Sequence, residues 1–243
     1  MSVAAIPDRA SSVILLRETQ PRGFEVFLAD RPDQPPILGG KYCFPGASVR
    51  KSDHTQGILS RCRGLSGEKA RVILGAHFAP PEALGFWIAA IRTVFEQVGV
   101  LFAIKGNGEP VTSAAELSVW LLEIRAAQRD GALDFPTLME RENLVCDAAS
   151  LTYFSHWQTL AEFSRSFDTR FFLAAMPDNQ TSHGLPYEIA HSLWLAPDRA
   201  LQLFNRGELP MTFPTFVSLR TLADFGSVKS LFNEFRKEMP GKQ

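Results

Sequence analysis

A chain of 243 residues with 45% apolar side chains can bury a substantial core as one elaborated domain. Its 25 Lys and Arg against 26 Asp and Glu give a formal charge of -1, which argues against a nucleic-acid or membrane-surface binder dependent on clustered cations. Three cysteines (Cys43, Cys62 and Cys146) without paired metal spacing fit a reducing compartment, and no leader or membrane-length apolar run is seen, so a soluble cytoplasmic protein is expected.

Ser11 to Arg17 and Phe24 to Ala29 are runs of bulky apolar residues separated by Gln20-Pro21-Arg22-Gly23, the pattern of a strand pair. Pro35-Pro36 and Gly39-Gly40 mark a loop that either serves a substrate or simply turns the chain. Tyr42-Cys43-Phe44-Pro45-Gly46-Ala47 follows, and then Asp53. From His54 to about Pro80, Arg61, Arg63, Lys69 and Arg71 alternate with Ile58, Leu59, Val72, Ile73 and Leu74. These cations fit a phosphate-holding surface or an ordinary solvated one.

Pro80-Pro81-Glu82 reads as a helix start, and the helix is expected to run to Val98. At 100° per residue, Ile91, Val94, Phe95 and Val98 share one side and Arg92, Thr93, Glu96 and Gln97 the other. Arg92 and Glu96, four apart, are expected as neighbours on an exposed face. Gly99 suits the left-handed residue that ends a helix, and Val100 to Ala103 reads as the next strand.

Gly106-Asn107-Gly108 is a turn, and Ser113-Ala114-Ala115-Glu116 has capping-box spacing, so a helix to about Arg129 is expected. Leu117, Trp120, Leu121 and Ile124 form its apolar stripe. Phe135 to Ala149 reads as a second short helix. Leu151 to Trp157, Arg170 to Ala175 and Glu188 to Leu195 are expected strands; Pro197 to Arg206 and Phe213 to Phe225 are expected helices. Such an order gives a mixed sheet between helices. The histidines lack zinc-ligand spacing.

Phe44-Pro45-Gly46, Asp53 and the run Arg92 to Val100 together resemble the Nudix box. That signature is Gly, five residues, Glu, seven residues, then Arg-Glu-U-x-Glu-Glu-x-Gly-U, with U a bulky aliphatic. Ala47 stands at the opening Gly and Asp53 at the first Glu, while Arg92, Val94, Glu96, Gly99 and Val100 match the second half. Thr93 and Gln97 replace two glutamates. Residues 54–91 are 38 positions where the box has seven, so about thirty residues are inserted. This insertion resembles the branch that includes peroxisomal-type coenzyme A diphosphatases, as do His156-Trp157, Arg170-Phe171-Phe172-Leu173-Ala174 and Trp194-Leu195-Ala196-Pro197. Arg31, Gly40 and Phe44-Pro45-Gly46 partly match that branch's extra motif, although Arg31 also fits a solvated loop cation.

The resemblance implies an α/β (α+β) fold: a Nudix-like α/β/α sandwich with a mixed sheet in one domain, residues 1–243. Residues 54–80 are the insertion, expected to border the substrate cleft; 112–149 are a helical addition and 226–243 a C-terminal helix and tail. It further implies attack of water on a diphosphate linkage of a nucleoside diphosphate derivative, such as coenzyme A or an acyl form, with Mg²⁺ or Mn²⁺ weakly bound. Residues implied in catalysis are Glu96, Arg92 and Glu188; in substrate binding Arg31, Phe44 and Gly46; in metal binding Glu96, the Gly46 carbonyl and Glu188. Glu188 fits equally a strand-end charge. The partner is a small nucleotide or coenzyme A-like molecule, with neither nucleic acid nor membrane. The alternative is a catalytically inactive nucleotide-binding module, which the loss of carboxylates at Thr93 and Gln97 favours.

Overall fold

The structure, a computed structural model, describes residues 7–20, 23–30, 40–111, 113–130, 133–159, 166–182 and 191–237. Strand β1 (Asp8–Glu18) pairs antiparallel with β2 (Phe24–Asp30), Leu16 facing Val26. Short strands β3 (Tyr42–Cys43) and β4 (Gly46–Ser48) attach to β2 and β1, respectively. The insertion contributes α1 (Gln56–Ser60), β5 (Cys62–Arg63) and α2 (Gly67–Leu74), and the long α3 (Pro80–Val98) follows.

Next come β6 (Ala103–Lys105), α4 (Ala114–Asp130), α5 (Phe135–Arg141) and β7 (Leu144–Asp147). Strands β8 (Leu151–Gln158), β9 (Phe167–Ala175) and β10 (His191–Leu195) complete the sheet. Three helices close the described chain: α6 (Pro197–Asn205), α7 (Phe213–Leu222) and α8 (Val228–Lys237).

The main sheet runs in the order β10-β2-β1-β9-β8 and is mixed, because β1 and β9 are parallel while the other pairs are antiparallel. Its central strands are covered on both sides, which explains why β1 and β2 read as continuous apolar runs. One side packs Val13, Leu15 and Phe172 against Trp87, Ile91 and Val94 of α3. The other packs Ile14, Leu16 and Leu173 under Leu201, Leu219 and Leu231 of α6, α7 and α8. Among the described residues, no helix is long and apolar enough to cross a membrane.

Proline at its start and Gly99 at its end, with φ of 79°, bound α3 where the sequence places them. The helix is nonetheless buried all round from Ala83 to Val98, so the expected exposed face carrying Arg92 and Glu96 does not exist. The sheet lies on one side, while β4, the turn Lys51–His54, the insertion and the added helices enclose the rest. At Gly85 the enclosure is close: a Cβ there would stand 2.9 Å from that of His54.

Two further expectations change. Val100 to Phe102 is buried but is not strand; the side-chain amide of Gln180 takes the Leu101 N–H and C=O at 2.8 and 3.0 Å, where a neighbouring strand would otherwise pair. The helix expected from Phe135 to Ala149 stops at Arg141, because Asn143 adopts a left-handed φ of 49° and Leu144-Val145-Cys146 then pairs with β6. The insertion packs on α3 and places Ile58 and Ala70 in the main core; its expected place beside a substrate cleft is a proposal. Its arginines pair nearby: Arg63 with Asp147, Arg71 with Glu68 and Arg61 with Asn143.

Candidate active site at the box helix

The Phe44-Pro45-Gly46 loop reaches α3 because β4 pairs with β1, placing Ser12 opposite Gly46 and Ser11 opposite Ala47. Glycine suits position 46, since a Cβ would stand 3.0 Å from both the Ser11 carbonyl oxygen and the Ser12 Cβ, a tight contact against the β1 strand. The turn Lys51–His54 then folds back, with the Arg50 N–H donating to Asp53 Oδ2 at 2.8 Å. That bond aims the Asp53 carboxylate at the helix.

Arg92 is the hub. Its Nε–H donates to Asp53 Oδ1 at 2.7 Å and an Nη2–H to Asp53 Oδ2 at 2.9 Å, while neither side chain has any exposure. Further bonds reach Glu96 Oε2 and the Ser48 carbonyl, each at 3.0 Å. Burial alone would lower the Arg92 pKa, but hydrogen bonds and attraction from Asp53, with those from Glu96, outweigh it and raise the value. The guanidinium is a permanent buried cation.

Glu96 is buried too, and its outer side is capped by Arg50, whose Nη1–H and Nη2–H donate to Oε1 and Oε2 at 2.8 and 3.0 Å. Gln97 turns toward the loop, where its Oε1 accepts from the Gly46 N–H at 3.1 Å and its Nε2–H donates to the Gly46 carbonyl at 3.3 Å. Thr93 is fully buried, with no hydrogen-bond partner for Oγ1. The cluster therefore holds two carboxylates, Asp53 and Glu96, and two guanidiniums, Arg50 and Arg92. Among the described residues their charges sum to zero.

A Mg²⁺ or Mn²⁺ ion needs anionic oxygens with lone pairs to give. Here Glu96 accepts from two arginines, Asp53 from Arg92 and the Arg50 N–H, and the Gly46 carbonyl from Gln97. Among the described residues, no group of three or more His, Cys, Asp or Glu is placed to hold a metal. The described residues, taken alone, do not fit a resident divalent ion; Glu188, named with them from sequence, lies outside the described residues.

Of the other residues named from sequence, Arg31 and Glu188 lie outside the described residues. Phe44 is 2% exposed and packs edge-on against Phe171, centroids 6.3 Å apart, which makes it a core residue rather than a cleft wall. The sequence reading missed Arg50, which occupies the third position of the five-residue spacer, where the box motif specifies nothing. It also missed a second polar group, in which Asp168 bonds to His156 and Arg170, and the buried Arg170 guanidinium lies 5.1 and 5.2 Å from the rings of Phe78 and Phe86. Burial would raise the Asp168 pKa, but the bonds from Arg170 and His156 prevail and hold it below the usual carboxylate range.

A family model described as the NUDT19 Nudix domain matches residues 4–222. Acyl-coenzyme A diphosphatase NUDT19 of Gallus gallus is 28% identical over 256 residues, covering 87% of this chain and 64% of the relative. Its Homo sapiens counterpart is 29% identical over 158 residues, covering 62% of this chain and 42% of the relative. The chain thus spans less than two thirds of the length of these curated relatives. Among solved structures, a Nudix hydrolase from Alicyclobacillus acidocaldarius superposes with a TM-score of 0.71 at 21% identity, covering 94% of this chain and 96% of that one, which shows the same fold.

Proposed function

This chain belongs to the NUDT19 Nudix family, and from that premise we propose that it acts on the diphosphate linkage of a nucleoside diphosphate derivative of the coenzyme A or acyl-coenzyme A class. The observation that carries the reading is the joining of the two halves of the box, with the Gly46 loop fastened to α3 by Gln97 and Arg92 despite the insertion between them. The relatives' name, acyl-coenzyme A diphosphatase, supports the substrate class. The reaction forms a bond between water oxygen and one phosphorus, breaks the P–O–P bridge and releases a proton.

This chain's own residues make that hydrolysis slow. Both Glu96 carboxylate oxygens are already engaged by guanidinium N–H groups, and Thr93 cannot take a proton from water near neutral pH. Glu188 is the remaining carboxylate proposed for the role. Mg²⁺ or Mn²⁺ belongs to this reading only as a weakly bound ion, and no step is assigned to it. The near-zero charge supports a small-molecule partner rather than nucleic acid or membrane, and an odd number of cysteines without metal spacing supports a cytoplasmic setting.

A second reading, a nucleotide-binding module without turnover, is favoured by the cluster at the box, where both described carboxylates are already engaged by guanidinium groups. Both are tested by incubating the chain with coenzyme A, acyl-coenzyme A, ADP-ribose and dinucleoside polyphosphates, with Mg²⁺, Mn²⁺ or a chelator, measuring binding and hydrolysis separately. Cleavage of the coenzyme A compounds supports the first reading, and binding without products supports the second. Neither binding nor cleavage of any compound overturns both.

A further inference from the structure

We infer that Arg50 and Gln97 take over the two tasks a divalent cation would perform at this site: clamping the loop to the helix and presenting positive charge to phosphate. The inference rests on the reading that the box cleft receives a diphosphate. Gln97 carries the first task. A glutamate at 97 would set its oxygens against the Gly46 carbonyl and require a cation between them; the amide bridges the gap itself, since Nε2–H donates to that carbonyl at 3.3 Å while Oε1 accepts from the same residue's N–H. Loop and helix are therefore held together without an ion.

Arg50 carries the second. Its Nη1 and Nη2 grip the buried Glu96 carboxylate, which fixes the guanidinium in place, while the Arg50 side chain itself is 45% exposed. A guanidinium has five N–H donors, and the grip on Glu96 uses two of them. Among the described residues the rest have no partner, and a side chain this exposed can offer them to phosphate oxygens in the forked geometry that suits them. Charge balance agrees. Among the described residues Arg92 is matched by Asp53 inside the protein and Arg50 by Glu96 at the boundary, so no net negative charge is left to attract a divalent ion, whereas the exposed part of Arg50 still offers N–H donors to phosphate.

Two measurements on the whole chain test this, with thermal melts to establish that each variant is folded. The first titrates Mn²⁺ without nucleotide, following the free-ion electron paramagnetic resonance signal. Native protein is expected to leave that signal unchanged at micromolar Mn²⁺, and the double variant Arg50→Gln with Gln97→Glu to bind at least tenfold more tightly. Micromolar, stoichiometric binding by native protein that Glu96→Gln abolishes would overturn the inference, as would a folded double variant no better than native. The second measures inorganic pyrophosphate binding in chelator by calorimetry. Arg50→Gln is expected to weaken it at least tenfold, with Arg50→Lys between the two; equal affinity for native and Arg50→Gln would overturn the role of Arg50. Because neither probe contains a nucleoside, loss of coenzyme A as substrate and loss of this inference are separable results.

Discussion

Asp53 and Arg92 form a forked ion pair at 2.7 and 2.9 Å across 39 positions of sequence, and neither side chain is exposed to solvent. The pair ties the turn before the insertion to the helix after it. Removing one partner of such a pair strands a charge in the interior, which costs about 3–5 kcal/mol. Asp53→Ala should therefore lower the unfolding free energy by about that amount in a denaturant titration. A loss under about 1 kcal/mol would show that water or Glu96 absorbs the stranded guanidinium.

Gln97→Glu should make stability dependent on metal. The substitution exchanges the amide donor to the Gly46 carbonyl for a second acceptor, so the variant should melt below native in chelator and recover when Mn²⁺ is added. Native protein should melt at the same temperature in both. Scanning calorimetry of the two proteins under the two conditions checks this.

Thr93 is expected to tolerate an apolar replacement and to reject a charged one. Its hydroxyl is buried without a partner, so Thr93→Val should be neutral or stabilising by about 1 kcal/mol. Thr93→Glu, which restores the family's residue, sets a carboxylate in the same buried place and should destabilise by several kcal/mol, on the order of an unpaired buried charge. Writing the missing glutamates back is thus not expected by itself to raise hydrolysis. A stable, active Thr93→Glu variant would refute this.

The insertion should behave as core. Ile58→Ala, at 1% exposure, should cost about 2–5 kcal/mol. If the insertion were instead a substrate flap, the same change would leave denaturant stability within about 0.5 kcal/mol and alter ligand affinity.

Asp168 should contribute an acid limb to the stability profile. Its folded pKa lies below the unfolded value, so its contribution is complete above the ordinary carboxylate pKa of about 3.9 and disappears as pH falls through the lowered folded value. Asp168→Asn should flatten the fall in stability below about pH 4. An unchanged acid limb would assign it to other carboxylates.

The elements that sequence discloses well here are those with local signals. Pro80 and Gly99 bound α3, Ser113 Oγ accepts from the Glu116 N–H at 3.2 Å as its spacing implies, and the β1 and β2 pair follows from composition. Periodicity put Arg92, Thr93, Glu96 and Gln97 on one face correctly but could not tell that this face is covered. The cover comes from Asp53 and the β4 loop, some 40 positions upstream, and from an insertion whose packing leaves no trace in the helix. Arg50 was missed for the same reason: its partner Glu96 lies 46 positions away, and a cation in a spacer carries no local mark. Gln180 shows the converse, one side chain satisfying backbone that would otherwise have needed a strand.

The strand order has a consequence for the time course of folding. β1 lies at the middle of the sheet, yet its parallel neighbour β9 begins at Phe167 and pairs with it from Asp8 to Leu16. During synthesis the first strand must wait with one edge bare until some 160 further residues have emerged, at roughly 5–20 residues per second. Such distant pairing slows closure, and the bare edge of an apolar strand is a template for association with other chains. Refolding yield from denaturant should therefore fall as protein concentration rises, with aggregation beginning at β1.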